Sequence, residues 1–354
     1  MSIPAPSRVL VVMPRWVGDA VMATPLIDAV HEQWPEASID LLMKRYLRGL
    51  FNDEPWLNDT LEIGGESSFR SLRADIARRR YDLAFLLPNS FRPAILTALG
   101  RVRRRVGYRR NGRAPLLTHG LPFPTTRPFR MVEFYGALGA RVGIDGTDRP
   151  MRLHVSDDRR KAAAALLAHH GVSSDRTIVA INPGAKYGSS KLWPTRHFAA
   201  AADQVAETTD ANIILLAGPG EDELAEEIRA QMAASATHLP AAEVDLSMLA
   251  AVLTHTDLLL TNDTGPRHMG RAVGVPTVTV YGPTHATWGE SDHHAGVDCL
   301  IPVECGPCME RTCPLGHHQC MTELPPDRVA EAAIELLAQC GGSDGSNPIT
   351  LSVR

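Results

Sequence analysis

A short apolar run, Leu258, Leu259 and Leu260, ends in the turn Thr261-Asn262-Asp263-Thr264-Gly265, and apolar residues resume at Val278 and Val280. Unbroken apolar runs of this length suit strands buried on both faces of a parallel sheet. Parallel neighbours need a crossover between them, usually a helix. Pro266 is tolerated in a first helical turn, so the crossover helix is expected to begin there. Strand, small-residue turn, helix N-terminus and strand commit this stretch to an open α/β sheet, in which ligands bind beyond the carboxyl ends of the strands. First-turn N–H groups and about half a positive charge of helix dipole favour an anion at that point. An ordinary β-α turn capped by Asp263 or Thr264 carries the same residues, so the pattern alone leaves both readings open.

The same alternation runs along the chain. Strands are expected over 9–13, 38–43 and 83–87, with a helix carrying Met22, Leu26, Ile27, Val30 and Trp34 on one side and an arginine-studded helix over 69–80. A polar helical stretch around 148–174 leads into a second series: strands over 177–181, 212–217, 257–260 and 277–281, with helical segments over 224–232 and 245–254. A chain of 354 residues is long for one domain and fits two. The expectation is an α/β protein of two Rossmann-like domains, 1–170 and 171–340, with a flexible tail over 341–354.

Several polar residues fall at strand ends. Asp19 follows the first strand and reads either as a helix N-cap or as a group in a ligand site. Pro88-Asn89-Ser90-Phe91-Arg92 closes the strand over 83–87. Seven arginines fall within the thirteen residues from Arg101 to Arg113; they read as a solvated face or as a patch for phosphate groups and an anionic membrane surface. Glu221, in Gly218-Pro-Gly-Glu221, caps the following helix or, if the loop is like the nucleoside-contacting loops it resembles, accepts ribose hydroxyls as acidic residues do in other Rossmann sites; Asp222 is the adjacent alternative.

Three motifs, in this order, resemble one family. Arg8-Val-Leu-Val-Val-Met-Pro-Arg-Trp16-Val-Gly18-Asp19, Asn182-Pro-Gly-Ala-Lys186-Tyr-Gly-Ser-Ser-Lys191-Leu-Trp-Pro194, and Thr261-Asn-Asp-Thr-Gly265 with His268 and Tyr281-Gly-Pro-Thr284 are similar to the signatures of the ADP-heptose:lipopolysaccharide heptosyltransferases, glycosyltransferase family nine. The resemblance spans roughly 8–340, and the first motif with the cysteine-rich segment looks most like the heptosyltransferase II branch. It implies the GT-B architecture, two Rossmann-like domains facing across a cleft, with the acceptor on the N-terminal and the nucleotide sugar on the C-terminal domain. It implies inverting transfer of L-glycero-D-manno-heptose from ADP-heptose to a heptose of the lipopolysaccharide inner core. Asp19 matches the catalytic base, and Lys191 meets the charge on the departing diphosphate. Lys186, Glu221, Asp263, Thr264, Gly265 and His268 are the donor candidates; Trp16, Gly18, Asn89, Arg92 and Arg105 are the acceptor candidates. Heptosyltransferase I or III, or a relative using another nucleotide sugar, remains the alternative within the class.

Metal-dependent glycosyltransferases commonly hold a divalent ion with Asp-x-Asp, a pattern this sequence lacks, so transfer is expected to need no cofactor. Cys305, Cys308, Cys313 and Cys320 lie close enough in sequence for a structural zinc site, but their spacing fits no standard finger; a reduced, packed loop is the favoured reading, and a redox-sensitive pair is the third. A zinc-bearing interaction protein without catalysis is the remote alternative. An oxidoreductase of Rossmann type needs Gly-x-Gly-x-x-Gly after a strand, which is missing here. The net charge of −4 gives no reason to expect nucleic acid as a partner. No signal-like N-terminus and no apolar run of roughly 18 to 20 residues is present, so a cytoplasmic protein is expected, touching the inner membrane surface to reach a phosphorylated lipid A-core acceptor.

Overall fold

Strand β1 (Arg8–Val12) is buried from its second residue onward, as a strand covered by helices on both faces must be. It lies at the centre of a parallel sheet with β2 (Ser38–Met43), β3 (Leu57–Glu62), β4 (Leu83–Leu86), β5 (Arg104–Arg109) and β6 (His119–Pro122), in the order β3-β2-β1-β4-β5-β6. Val9 pairs with Ile39 on one side and Leu83 on the other. Leu10, Val12, Leu42, Leu72, Ile76 and Leu86 belong to one cluster of this core. Each such side chain contributes about 1.5–3 kcal/mol by leaving water. The computed structural model describes residues 3–65, 67–126, 128–341 and 350–351.

The helices of this unit are α1 (Val17–Met22), α2 (Thr24–Gln33), α3 (Phe69–Arg79), α4 (Phe91–Leu99) and α5 (Met131–Ala140). A single helix was expected where α1 and α2 stand. Pro25 has no N–H to offer Val21, four residues back, and the helix breaks at Ala23. The carbonyl of Val21 takes the Thr24 hydroxyl instead, at 2.8 Å. The arginine run also differs from a simple charged face: Arg104–Arg109 is an interior strand, with Val106, Gly107 and Tyr108 buried.

The second unit repeats the plan. Strands β7 (Ile178–Asn182), β8 (Asn212–Leu216), β9 (Ala236–Leu239), β10 (Leu258–Asn262), β11 (Thr277–Val280), β12 (Gly296–Cys299) and β13 (Thr350–Leu351) pair in parallel in the order β13-β12-β11-β10-β7-β8-β9. Around them are α6 (Asp157–His169), α7 (Thr195–Thr209), α8 (Asp222–Gln231), α9 (Leu246–Leu253), α10 (Gly265–Ala272), α11 (Gln319–Thr322) and α12 (Pro326–Gly341). Ile181, Phe198, Leu215, Leu260, Val278 and Leu336 belong to its core.

The chain divides into these units between His154 and Val155, and Thr287–Ser291 returns to the first. The division comes before α6, not after it at 170 as the sequence suggested, because α6 packs on α9 and the His255 ring contacts the Arg160 carbonyl at 2.9 Å. The flexible tail expected over 341–354 falls mostly outside the described residues; β13, within it, pairs with β12. Among the described residues no helix is long and apolar enough to cross a membrane.

Both sheets have one topology. Read from its own first strand, each begins 3-2-1-4-5-6, the second sheet adding a seventh strand at that edge, and the direction of winding reverses between the first and fourth strands. Loops leaving those two strands flank the crevice where open α/β sheets bind ligands. In the first unit these loops carry Asp19 and Asn89; in the second they carry Lys186, Lys191 and Asp263.

Candidate active site

In the second unit, the loop after β7 makes a single tight turn, Ser189–Lys191, and sends the Lys191 side chain toward the end of β10. Nζ of Lys191 lies 2.5 Å from Oδ2 of Asp263 and 2.8 Å from the Asp263 carbonyl oxygen. The pair is nearly enclosed, with side-chain exposures of 11% and 15%. Thr284 Oγ1 donates to the same carboxylate oxygen at 2.7 Å, and Arg267 Nη1 stands 3.8 Å from the other. Burial alone raises the Asp263 pKa, but the charges of Lys191 and Arg267 outweigh it and hold the carboxyl well below its usual range. Asp263 is ionised at every physiological pH.

Thr264 is the N-cap of α10, with extended φ and ψ of −147° and 177°, but its side chain makes no capping bond. The first-turn N–H groups are thus not closed off by their own cap, and the capped-turn reading is not what the chain builds. Pro266 occupies the first turn, as its fixed φ allows. Gly265 opens the helix, and His268 follows, 5% exposed. Burial, then the charge of Arg267, pushes the His268 pKa well below the ordinary histidine value, so the ring is neutral. Its Nδ1 is buried with no hydrogen-bond partner among the described residues.

Arg267 lies within the donor motif, and the sequence reading passed over it. It is fully buried, over the Tyr281 ring at 5.0 Å, with Nε on Thr279 Oγ1 at 3.1 Å and Nη2 at 3.3 Å from both oxygens of Asp298. Arg271 Nη2 reaches the same Asp298 at 3.1 Å. Burial favours the neutral form of Arg267, but Tyr281, Asp298 and Asp263 more than offset it, so the guanidinium stays charged. Thr284 stands in the quoted Tyr281-Gly-Pro-Thr284 and had a signal; Asp298, on β12, had none.

Glu221 is at the N-cap position of α8 without capping it. Its Oε2 accepts from Gly218 N at 3.0 Å, and the carboxylate fills the space where a Cβ on Gly184 would sit. A side chain at Gly184 or Gly218 would therefore displace the Glu221 carboxylate from this position. Asp222 faces elsewhere, accepting from Ala241 N at 2.9 Å and pairing with His238 at 3.2 Å. Lys186 is exposed on the outer part of the loop.

In the first unit, Trp16 is the N-cap residue of α1, in extended conformation, with Arg15 over its ring at 5.0 Å. Gly18 and Asp19 fall in the first turn that follows, so Asp19 is not the cap. The buried Tyr135 phenol is pushed well up, first by desolvation and then by the Asp19 carboxylate nearby. Asn89 Oδ1 accepts from Arg113 Nη2 at 2.9 Å. Arg113 is fully buried, with Nε on Tyr108 O at 2.8 Å and Nη1 on Pro88 O, and burial lowers its pKa to about 10. It braces the loop after β4. Arg105 also turns to backbone carbonyls, Leu116 O at 2.6 Å and Val102 O. Arg92 is exposed on α4. The arginine run thus divides into one buried brace, Arg113, the half-buried Arg104 and Arg105, and four exposed charges.

The cysteine-rich segment packs on the Lys191 loop. Tyr187 Oη donates to Met309 O at 2.6 Å, Ser190 Oγ to Glu310 O at 2.6 Å and Ser190 N to Arg311 O at 3.1 Å, and the His318 ring meets Ser190 O at 2.7 Å. All six cysteines are thiols. Among the described residues no group of three or more His, Cys, Asp or Glu side chains is arranged to hold a metal ion, so the geometry lends the zinc reading no support.

The family model of glycosyltransferase family 9 (heptosyltransferase) matches residues 69–319. The lipopolysaccharide heptosyltransferase 2 of Escherichia coli strain K12 is 30% identical over 357 residues, 94% of this chain and 99% of the relative. The lipopolysaccharide heptosyltransferase 2 of Salmonella typhimurium is 28% identical over 94% of this chain and 99% of its own. The solved structure of the E. coli ADP-heptose lipopolysaccharide heptosyltransferase II superposes with a TM-score of 0.80 at 27% identity, covering 94% and 99% of the two chains.

Proposed function

Because the chain belongs to glycosyltransferase family 9, we propose that it moves L-glycero-D-manno-heptose from ADP-heptose to a heptose of the lipopolysaccharide inner core, with inversion at the anomeric carbon. Heptosyl transfer in lipopolysaccharide core synthesis is the activity its relatives are named for, and the oxidoreductase and non-catalytic readings fall away. One observation carries the assignment to this chain: a nearly enclosed Lys191 beside the uncapped N-terminus of α10, both at the winding reversal of the second sheet.

The diphosphate gains negative charge as the sugar leaves. Lys191 and the first-turn N–H groups of α10 meet that charge, in a site of low dielectric where each contact counts for more than in water. Asp263 serves the donor indirectly, by holding Lys191 in place together with Arg267. The neutral His268 supplies a hydrogen bond without adding charge, and Glu221 receives the ribose. Asp19, in the other unit, takes the proton of the attacking hydroxyl. Trp16, Gly18, Asn89 and Arg92 line the acceptor's approach. Lys191 provides the cationic charge that a divalent ion gives other glycosyltransferases, and the reaction runs without a metal. The protein works in the cytoplasm at the inner membrane surface, where exposed arginines such as Arg92, Arg101 and Arg103 face anionic headgroups and the phosphorylated acceptor.

The test is a donor screen, measuring release of the nucleotide from ADP-heptose, ADP-glucose and UDP-sugars in the presence of heptosylated lipid A-core. Turnover with ADP-heptose alone is expected. Preference for a UDP-sugar would overturn the reading.

A further inference from the structure

Cys305, Cys308, Cys313 and Cys320 line one small pocket together with Ser190 and Pro283. None is used by the chemistry described above. Their environments differ. Cys313 Sγ accepts a hydrogen bond from the His318 N–H at 3.4 Å, and the N–H groups of Leu315, Gly316 and His317 also face it, in a turn where Gly316 adopts φ +74°. Such a ring of N–H groups favours an anion, here the thiolate. Cys320 lies deeper, and its thiol is pushed up to about 11 by burial and by the other three sulfurs. One sulfur is disposed to attack, and Cys320 remains a protonated partner in the same pocket. The same segment, through Met309, Glu310, Arg311 and His318, holds the loop that presents Lys191.

We propose that Cys313 is a site of reversible oxidation by hydrogen peroxide, and that the disulfide it then forms with another cysteine of the pocket disables the Lys191 loop. The Cys313 thiolate attacks one peroxide oxygen; the O–O bond breaks, and the departing hydroxide takes a proton to leave as water. A second thiol attacks the resulting sulfenic sulfur; the S–O bond breaks, the S–S bond forms, and a second water carries away the hydroxyl and the thiol proton. Two thiols lose two electrons and the peroxide gains them. Drawing Cys313 toward another sulfur moves the chain between Met309 and His318, whose backbone carbonyls and ring fix Tyr187 and Ser190. The effect on activity rests on the reading of Lys191 as a donor residue; the thiol chemistry does not.

The experiment uses the full chain, reduced and freed of reductant, then exposed to hydrogen peroxide. Intact mass, peptide mapping, metal content and ADP affinity are measured before and after, and again after dithiothreitol. The expected result is a loss of two hydrogens, a disulfide containing Cys313, ADP affinity weaker by about tenfold, and full recovery on reduction. Cys313→Ser should bind ADP like the reduced wild type and keep that affinity in peroxide. A bound metal ion at one per chain, a disulfide that omits Cys313, or a Cys313 disulfide that leaves ADP affinity unchanged would each overturn the proposal. Failure of the reduced protein to bind ADP would count against the donor reading instead, while the mapped disulfide still decides the chemistry.

Discussion

Lys191 and Asp263 are joined through a 2.5 Å contact between Nζ and Oδ2, so the cation assigned to the leaving group is already matched by a charge of the protein itself. A diphosphate reaching Lys191 competes with a carboxylate that Arg267 and Thr284 also hold. Lys191→Ala should lower kcat/KM by about 10²–10³, the scale for a lost group aimed at developing charge. A solvent-exposed loop lysine would leave stability almost unchanged, since it buries little. The enclosed pair changes that expectation to a loss of about 1.5–3 kcal/mol, the scale of a hydrogen bond to a charged group. Steady-state kinetics and thermal melting of the one variant check both figures, and turnover within a few-fold of wild type would remove Lys191 from the site.

Asp19→Asn separates base from scaffold. Asp19 is in the first turn of α1, whose cap residue is Trp16, so the amide should fold normally. It cannot accept the acceptor's proton, and kcat should fall by about 10²–10⁴. On the proposed reading the nucleotide binds the second unit, so ADP affinity should stay at the wild-type value. A fall of less than about tenfold in kcat means the base lies elsewhere.

Chelation tests the cation-free mechanism. With Lys191 and the α10 N-terminus carrying the leaving-group charge, EDTA should leave the rate of heptosyl transfer unchanged. A rate that collapses in EDTA and returns only with Mg²⁺ or Mn²⁺ contradicts this.

Glu54 gives a prediction in pH. It is 9% exposed, and burial, reinforced by neighbouring Asp28, raises its pKa to about 7 despite the hydrogen bond from His154 N. The Asp28 carboxyl is itself raised to about 6 by burial. A carboxyl whose folded pKa lies above its unfolded value stabilises fully below the unfolded value, and that contribution is lost as pH rises through the folded pKa. The first unit should therefore lose up to about 3 kcal/mol from Glu54 between pH 4.5 and 8. Glu54→Gln keeps an acceptor for His154 N, and should raise the melting temperature at pH 8 while changing little at pH 4.5. An equal shift at both values would show that Glu54 does not titrate as stated.

The grouping of Lys191 with Asp263, Thr264 and Gly265 was legible because these residues lie in contiguous motifs at strand ends, where an α/β sheet places a ligand. Asp263, Thr264 and Gly265 follow β10, and Lys191 comes from the loop after β7. Asp298 was not legible: it meets Arg267 only because β12 pairs beside β11, a relation no local pattern encodes. The arginine run misled for a related reason. Composition cannot distinguish Arg113, buried against the backbone of Pro88 and Tyr108, from Arg103, which lies outside. The break at Ala23 was readable in principle, since Pro25 stands in the sequence, but the apolar periodicity runs across it unbroken.

The return of Thr287–Ser291 to the first unit has a consequence for anyone who would divide this protein. Glu290, in that returning segment, sits 3.4 Å from Arg130. A gene cut after His154 therefore produces a fragment missing part of its own contacts, and a chimera that exchanges only the leading 154 residues pairs a foreign scaffold with the resident segment. Grafts that exchange the first unit need both pieces of chain, the long one and the five-residue one, transplanted together.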